Sequence, residues 1–203
     1  MKRVLISLFT PLLLISVFSC KTGNNDLYHW PAGSAPAETG MRLAEKYLST
    51  SNTNYGNIRS TEKPRQITYP DVCTWLGALR FAEATGNDTL FARLKDRFDL
   101  LFGADSVLLP AANHVDNCVF GAVPLEIYIK TKEKKYLDLG LLYADRQWQL
   151  PDSATAEQKT WADKGYTWQT RIWIDDMFMI TAVQTQAYRA TGDRKYIDRA
   201  AKE

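Results

Sequence analysis

The chain has 203 residues, 45% of them hydrophobic and 12% aromatic, with 25 Lys and Arg against 23 Asp and Glu. A near-neutral balance argues against a nucleic-acid binder, which normally carries a basic stripe or a high isoelectric point. With only two histidines (His29 and His114) and three cysteines in no metal-binding spacing, a structural zinc site is not expected, and no other metal or cofactor is implied.

The N-terminus reads as an export leader. Lys2 and Arg3 form a charged start and Val4 to Phe18 an apolar stretch. That stretch is shorter than the roughly 20 residues that span a bilayer, so residues 1–20 are expected to be cleaved or anchored, not to form a transmembrane helix. The stretch closes in Val17-Phe-Ser-Cys20, which resembles a bacterial lipobox and would make Cys20 a lipidated N-terminus. The alternative is an ordinary leader with a chance cysteine. Loss of Lys2 and Arg3 with the leader brings acidic and basic residues level. Residues 21–37, rich in Gly, Ser, Pro and Ala, read as a flexible tether. These features predict a cell-envelope protein held to its membrane by a lipid only.

From residue 38 onward the pattern is helical, with no convincing strand. Helices are expected over Glu38–Leu48, Asp71–Thr85, Asp88–Leu101, Asp116–Thr131, Lys134–Gln149 and Ile174–Thr191, with another opening at Arg194 and a loop from Ser49 to Tyr69. An internal repeat organises them. Glu83-Ala-Thr-Gly-Asn-Asp-Thr-Leu90, Ile129-Lys-Thr-Lys-Glu-Lys-Lys-Tyr136 and Arg189-Ala-Thr-Gly-Asp-Arg-Lys-Tyr196 align on Gly86, Lys132 and Gly192, at spacings of 46 and 60 residues. The longer spacing contains a polar insertion near Pro151 to Lys164. Each unit reads as helix, left-handed stop, capped helix. The first helix of each pair is apolar nearly all round and is expected inside; the second is amphipathic and is expected outside. Such hairpins predict an all-α fold, an (α/α)6 toroid of which residues 38–203 would supply about half. A fragment of a longer protein and an open half-ring with an apolar edge both fit, and the fragment is the preferred reading. Cys73 and Cys118 could form a disulfide in an oxidising compartment, but two small buried hydrophobes are preferred.

Acidic residues recur where the inner helices begin: Asp71, Asp116 and the pair Asp175/Asp176. An acid there is favoured simply as a cap and by the helix dipole, and Asp71 fits that role. The other three lie in more apolar runs, where a buried carboxylate is costly. Neighbouring helix positions diverge by roughly 100°, so Asp175 and Asp176 are not expected to serve one substrate atom.

Trp173-Ile-Asp-Asp-Met-Phe-Met179 resembles the active-site helix of the unsaturated uronyl hydrolases, glycoside hydrolase families 88 and 105. His114-Val-Asp116 with Phe120-Gly121 is similar to that family's other acidic site. The resemblance implies hydration of the double bond in a 4,5-unsaturated uronic acid left by polysaccharide lyases, with no metal or organic cofactor. It implies that Asp175 is the acid/base, aided by apolar Trp173, Ile174 and Met177, and that Asp116 is the second carboxylate. Asp176 departs from the family pattern and leaves the choice between the two neighbouring acids open. His114, Arg171, Trp168, Tyr69 and Asp176 are candidate substrate contacts: Arg171 for the substrate carboxylate, Trp168 and Tyr69 for stacking. Packing or solvated charge would explain each equally. The expected partner is an unsaturated uronyl oligosaccharide, of galacturonyl or glucuronyl type. Two other readings stand beside it. One is a different α/α-barrel glycosidase with two carboxylates about 6.5–9.5 Å apart around a water. The other is a non-catalytic glycan-binding lipoprotein or truncated remnant.

Overall fold

The computed structural model describes residues 29–50 and 66–203. The leader, Cys20 and residues 21–28 of the expected tether lie outside the described residues, as does most of the loop before Tyr69. The described residues are helical and contain no strand.

The helices run α1 (Pro36–Leu48), α2 (Tyr69–Ala84), α3 (Asp88–Asp99), α4 (Val115–Cys118), α5 (Ala122–Thr131), α6 (Lys134–Arg146), α7 (Ala156–Asp163), α8 (Ile174–Thr191) and α9 (Arg194–Lys202). They form two layers. The inner row is α2, α5 and α8, each touching the next. α1 and α3 pack on α2, α6 on α5, and α9 on α8. The repeated stops occur where the alignment puts them. Gly86, Lys132 and Gly192 all take positive φ (64°, 61° and 73°). Lys132 does so without glycine's freedom, at a cost of roughly 1–2 kcal/mol. Asn87 and Asp193 then cap α3 and α9 by accepting from Leu90 N (2.9 Å) and Lys195 N (3.0 Å). Glu133 makes no side-chain cap on α6.

Three expectations are corrected. The helix expected over Asp116–Thr131 is broken into α4, a 3-10 turn at Val119–Gly121 and α5. Pro124 lacks the N–H that would bond to Phe120 O, and its ring crowds that carbonyl, so the chain tightens before it. The polar insertion is itself partly helical. Thr155 and Gln158 form a reciprocal capping box that starts α7, with bonds of 2.9 and 3.2 Å. Finally, burial all round holds for the start of α5 only. α2 and α8 flank the row and leave one face open, at Cys73 and Arg80 on α2 and at Ile174, Met177, Phe178 and Tyr188 on α8.

The core is aromatic at the junction of α2, α3, α5 and α6. Phe98 stacks on Phe120 and meets Trp75, Phe102 and Tyr136 edge-on, with ring centroids 5.3–5.8 Å apart. Close helix approach depends on two glycines. A Cβ on Gly121 would lie 2.7 Å from Tyr143 Cβ and 2.9 Å from Gly140 O, and one on Gly140 would lie 2.4 Å from Leu125 Cγ. This contact draws the turn after α4 against α6. Deep in the inner row, fully buried Glu126 of α5 accepts from Gln186 and Arg189 of α8 and faces Arg80 of α2.

The outer helices are joined by one polar device used twice. Asp99, at the end of α3, accepts from Lys135 (2.7 Å) and Tyr136 (2.6 Å) at the start of α6. Asp145, near the end of α6, accepts from Tyr196 (3.3 Å) and pairs with Lys195 (3.6 Å) at the start of α9, and Arg199 adds a bond of 3.1 Å. Asp99 and Asp145 are 46 residues apart, and the Lys-Tyr pairs 60, which are the two repeat spacings. Burial alone would push the Asp99 carboxyl up, but hydrogen bonds from Lys135, Tyr136 and Lys95 hold it below the usual range. A depressed carboxyl stabilises the fold above its unfolded pKa, near 3.9, and that gain disappears as pH falls through the lower folded value. Asp99→Asn is expected to cost about 1 kcal/mol at neutral pH and to flatten the acid limb of the stability curve below about pH 4, read from urea melts across pH.

Candidate active site

The starts of the inner helices share one rim. Gln66, just before α2, donates to Asn117 of α4 (2.8 Å), and Arg171, just before α8, reaches Asp116 of α4. α2 opens at Tyr69, two residues ahead of the expected start at Asp71, with Thr68 as its N-cap. Asp71 sits at the third helical position, accepting from Thr68 N (3.1 Å) and Oγ1 (2.7 Å). Burial pushes its carboxyl up despite those bonds. Asp71 is thus a capping residue, as its sequence setting suggested.

Asp176 is the centre of the rim. It is 1% exposed. Arg171 Nε lies 3.1 Å from each of its oxygens, Nη2 also donates to Oδ1, and the Arg171 backbone N–H donates to Oδ2 at 3.0 Å. The same Nη2 lies 3.3 Å from Asp116 Oδ1. The ring of Trp173 covers the guanidinium at 4.4 Å. The hydrogen bonds to Asp176, against some desolvation, push the Arg171 pKa up, with further attraction from Asp116 and Asp175. Arg171 is therefore a fixed cation that bridges two carboxylates, not a solvated loop charge.

Asp175 differs from its neighbour in burial and in partners. It is exposed, and it makes no hydrogen bond or ion pair among the described residues. The apolar side chains expected to shield it do not. Trp173 is 58% and Ile174 86% exposed, and Met177 is about half exposed, because this face of α8 has no packed neighbour among the described residues.

His114 is the N-cap of α4. Its Nδ1 accepts from Asp116 N (3.2 Å) and lies 3.6 Å from Asp116 Oδ2. The side chain is partly exposed beside Asp116. Tyr69 opens α2 on the same rim and is 44% exposed, free to meet a ligand. Trp168 stands apart. It is 8% exposed, and its Nε1 donates to Arg146 O (2.9 Å), so it anchors the chain that leads to Arg171.

Several residues of that anchor carried no signal that sequence reasoning used. Thr167 Oγ1 donates to Gln147 O, Gln169 Nε2 donates to Cys118 Sγ (3.4 Å), and Gln184 donates to Ala144 O (2.7 Å) and Gln147 Oε1 (2.9 Å). Buried amides surrounded by apolar residues look like surface polarity in a linear sequence. Beside Asp176 a cleft of about 340 Å³ is walled by Trp161, Tyr166, Ile172, Trp173 and Met177. Trp161, from the polar insertion, and Tyr166, just after it, are in edge contact at 5.9 Å. No group of His, Cys, Asp and Glu suited to a metal occurs among the described residues. Cys73 and Cys118 are both free, Cys73 exposed and Cys118 buried, and burial pushes the Cys118 thiol up to about 11.

Paired helices with carboxylates along one rim make up an all-α scaffold. The family model for Glycosyl Hydrolase Family 88 matches residues 42–203, and the chain belongs to that family. It is thus a glycoside hydrolase of the kind that acts on unsaturated uronyl sugars in general. No curated protein and no solved structure matches the chain.

The unequal settings of the two neighbouring acids have unequal energetic consequences. Asp176→Ala leaves Arg171 without its main counter-charge and is expected to cost about 3 kcal/mol, the low end for a buried pair because Arg171 is partly exposed. Asp175→Ala is expected to cost under about 1 kcal/mol, the size of a first-turn dipole effect. Thermal and urea melts of the two variants check the order; a reversed order would contradict the placement of the pair.

Proposed function

We propose that this hydrolase removes 4,5-unsaturated uronic acid from lyase-generated oligosaccharides by hydrating the vinyl ether double bond. The observation that carries the reading is the division of labour at the start of α8. Asp176 is consumed by Arg171, whereas Asp175, one residue away, is exposed and unpaired on the same rim as Asp116. An acid/base must reach its substrate and exchange a proton with it, which a carboxylate locked by a guanidinium does poorly.

In this reading Asp175 donates a proton to C4 of the unsaturated sugar. Water adds at C5 and returns a proton to Asp175. The resulting hemiketal opens, and the anomeric carbon releases the rest of the oligosaccharide as an alcohol. Asp116, at the start of α4 on the same rim, serves as the second carboxylate and orients the sugar, with His114 beside it. Tyr69 supplies an aromatic edge. A docked sugar displaces water from around Asp175, which the flanking side chains do not do in this structure. Neither a metal nor an organic cofactor is needed, because the proton and water suffice.

The test is loss of the ultraviolet absorbance of the conjugated double bond when the protein is added to unsaturated pectin and glycosaminoglycan disaccharides. The wild type is expected to bleach one class, and Asp175→Asn to lose at least about a thousandfold in kcat while staying folded. A wild type that is folded yet inert on every substrate overturns the reading. If Asp176→Asn abolishes turnover and Asp175→Asn does not, the roles of the two acids exchange.

We also propose that the protein is anchored at the cell envelope through Cys20, where exported lyases would release its substrates. The support is the sequence pattern of the leader alone. Mass spectrometry of the mature N-terminal peptide is expected to find acylated Cys20; a free N-terminus elsewhere overturns the anchor.

A further inference from the structure

We propose that Arg171, locked in place by Asp176, is a positioning residue that holds Asp116 for the reaction instead of binding the substrate carboxylate. This rests on the hydration reading for its catalytic part, but the geometry stands without it. Of the guanidinium nitrogens, Nε and Nη2 are engaged by Asp176, and Nη2 also meets Asp116 at 3.3 Å. A freely searching substrate ligand would not be pinned by a carboxylate that is 1% exposed. The backbone is committed too. The Arg171 N–H donates to Asp176 Oδ2, and the chain then turns through Ile172 at φ 58°. A β-branched residue avoids that region, and such strain persists where surrounding contacts over-determine it. Here the contacts are the four bonds to Asp176 and the Trp173 ring at 4.4 Å on the guanidinium face.

The segment that carries Arg171 is pinned further back as well. Thr167 binds Gln147 O, Trp168 binds Arg146 O, and Gln169 binds Cys118 of α4. Arg171 thus reaches Asp116 from a segment hydrogen-bonded at three successive residues, while Asp116 N–H is held by His114. The consequence is a carboxylate on α4 whose place relative to Asp175 on α8 is set by one guanidinium. Misplacement of a reacting group by about 1 Å can cost roughly a hundredfold in rate. A positioning residue is therefore expected to act on kcat, whereas a substrate ligand acts on KM.

The experiment uses the full chain. Arg171→Met is expected to lower kcat about tenfold to a hundredfold with KM within about twofold, Arg171→Lys to recover part of the loss, and added guanidinium to restore activity to Arg171→Ala. A large rise in KM at unchanged kcat overturns the proposal and returns Arg171 to the substrate. A second measurement needs no substrate. In a cycle of Arg171→Met with Asp116→Asn, the two changes are expected to be non-additive by at least about threefold in the unfolding equilibrium constant. Additivity overturns the contact whatever the enzyme does. If Arg171→Met does not fold, Arg171→Lys takes its place in both measurements. A wild type inert on all unsaturated uronides removes the proposed reaction, and the cycle still decides the contact.

Discussion

A carboxylate sealed from water needs a cation, and the arrangement of this rim follows from that need. Asp176 has nowhere to send its charge except Arg171, five residues earlier in the chain. For Arg171 to reach it with both backbone and side chain, the intervening residues must fold back, and Ile172 takes a left-handed conformation to let them. That turn lays Trp173 over the guanidinium and sets where α8 begins. Because adjacent helix positions point about 100° apart, burying Asp176 forces Asp175 outward. One charge requirement thus sorts two chemically identical neighbours into a buried, paired residue and an exposed one.

The scaffold makes such a rim possible by fixing where each inner helix starts. Gly121 and Gly140 let α6 approach the turn after α4 to backbone distance. The buried Glu126 network ties α2, α5 and α8 near their other ends. Outside, the Asp-to-Lys-Tyr contact recurs between successive outer helices with the spacing of the repeat itself. Each hairpin is therefore registered against the next by the same pair of residue types. A rim built from residues on three hairpins, at Tyr69, Asp116 and Asp175, depends on that registration.

The fold was legible because its signals are local and periodic. Stops at Gly86, Lys132 and Gly192 and the apolar runs between them mark the hairpins, and the structure matches nearly every boundary to within a few residues. Pro124 marks the break after α4 but sits inside an apolar run of helical period, which by itself predicts one continuous helix. The site was half legible. Adjacent acids in an apolar helix are conspicuous, but which one turns inward depends on a partner outside the helix. The chemistry of Arg171 gave no hint that it would join both Asp176 and Asp116. Trp168 attracted notice as an aromatic near the site, yet its indole N–H is bound to Arg146 O, and the aromatics that wall the cleft beside Asp176 include Trp161 and Tyr166 instead. Those two lie in a polar stretch whose helical character rests on the Thr155–Gln158 box, a weaker signal than periodicity.

The open face of α8 bears on the chemistry in a different way. Ile172, Trp173, Ile174, Met177 and Phe178 form an exposed apolar strip around Asp175. A strip of that kind on a protein surface marks a place where another surface or a ligand sits. An acid that must give up a proton to carbon works best out of bulk water, where its neutral form is favoured and competing proton transfers are excluded. The strip provides one wall of such an environment without closing it. In the proposed reaction, whatever covers Trp173 and Ile174 must therefore arrive with, or before, the sugar. If the sugar itself is that cover, longer oligosaccharides that extend over the strip gain in kcat and not merely in KM, because the added contacts are spent on excluding water from the acid.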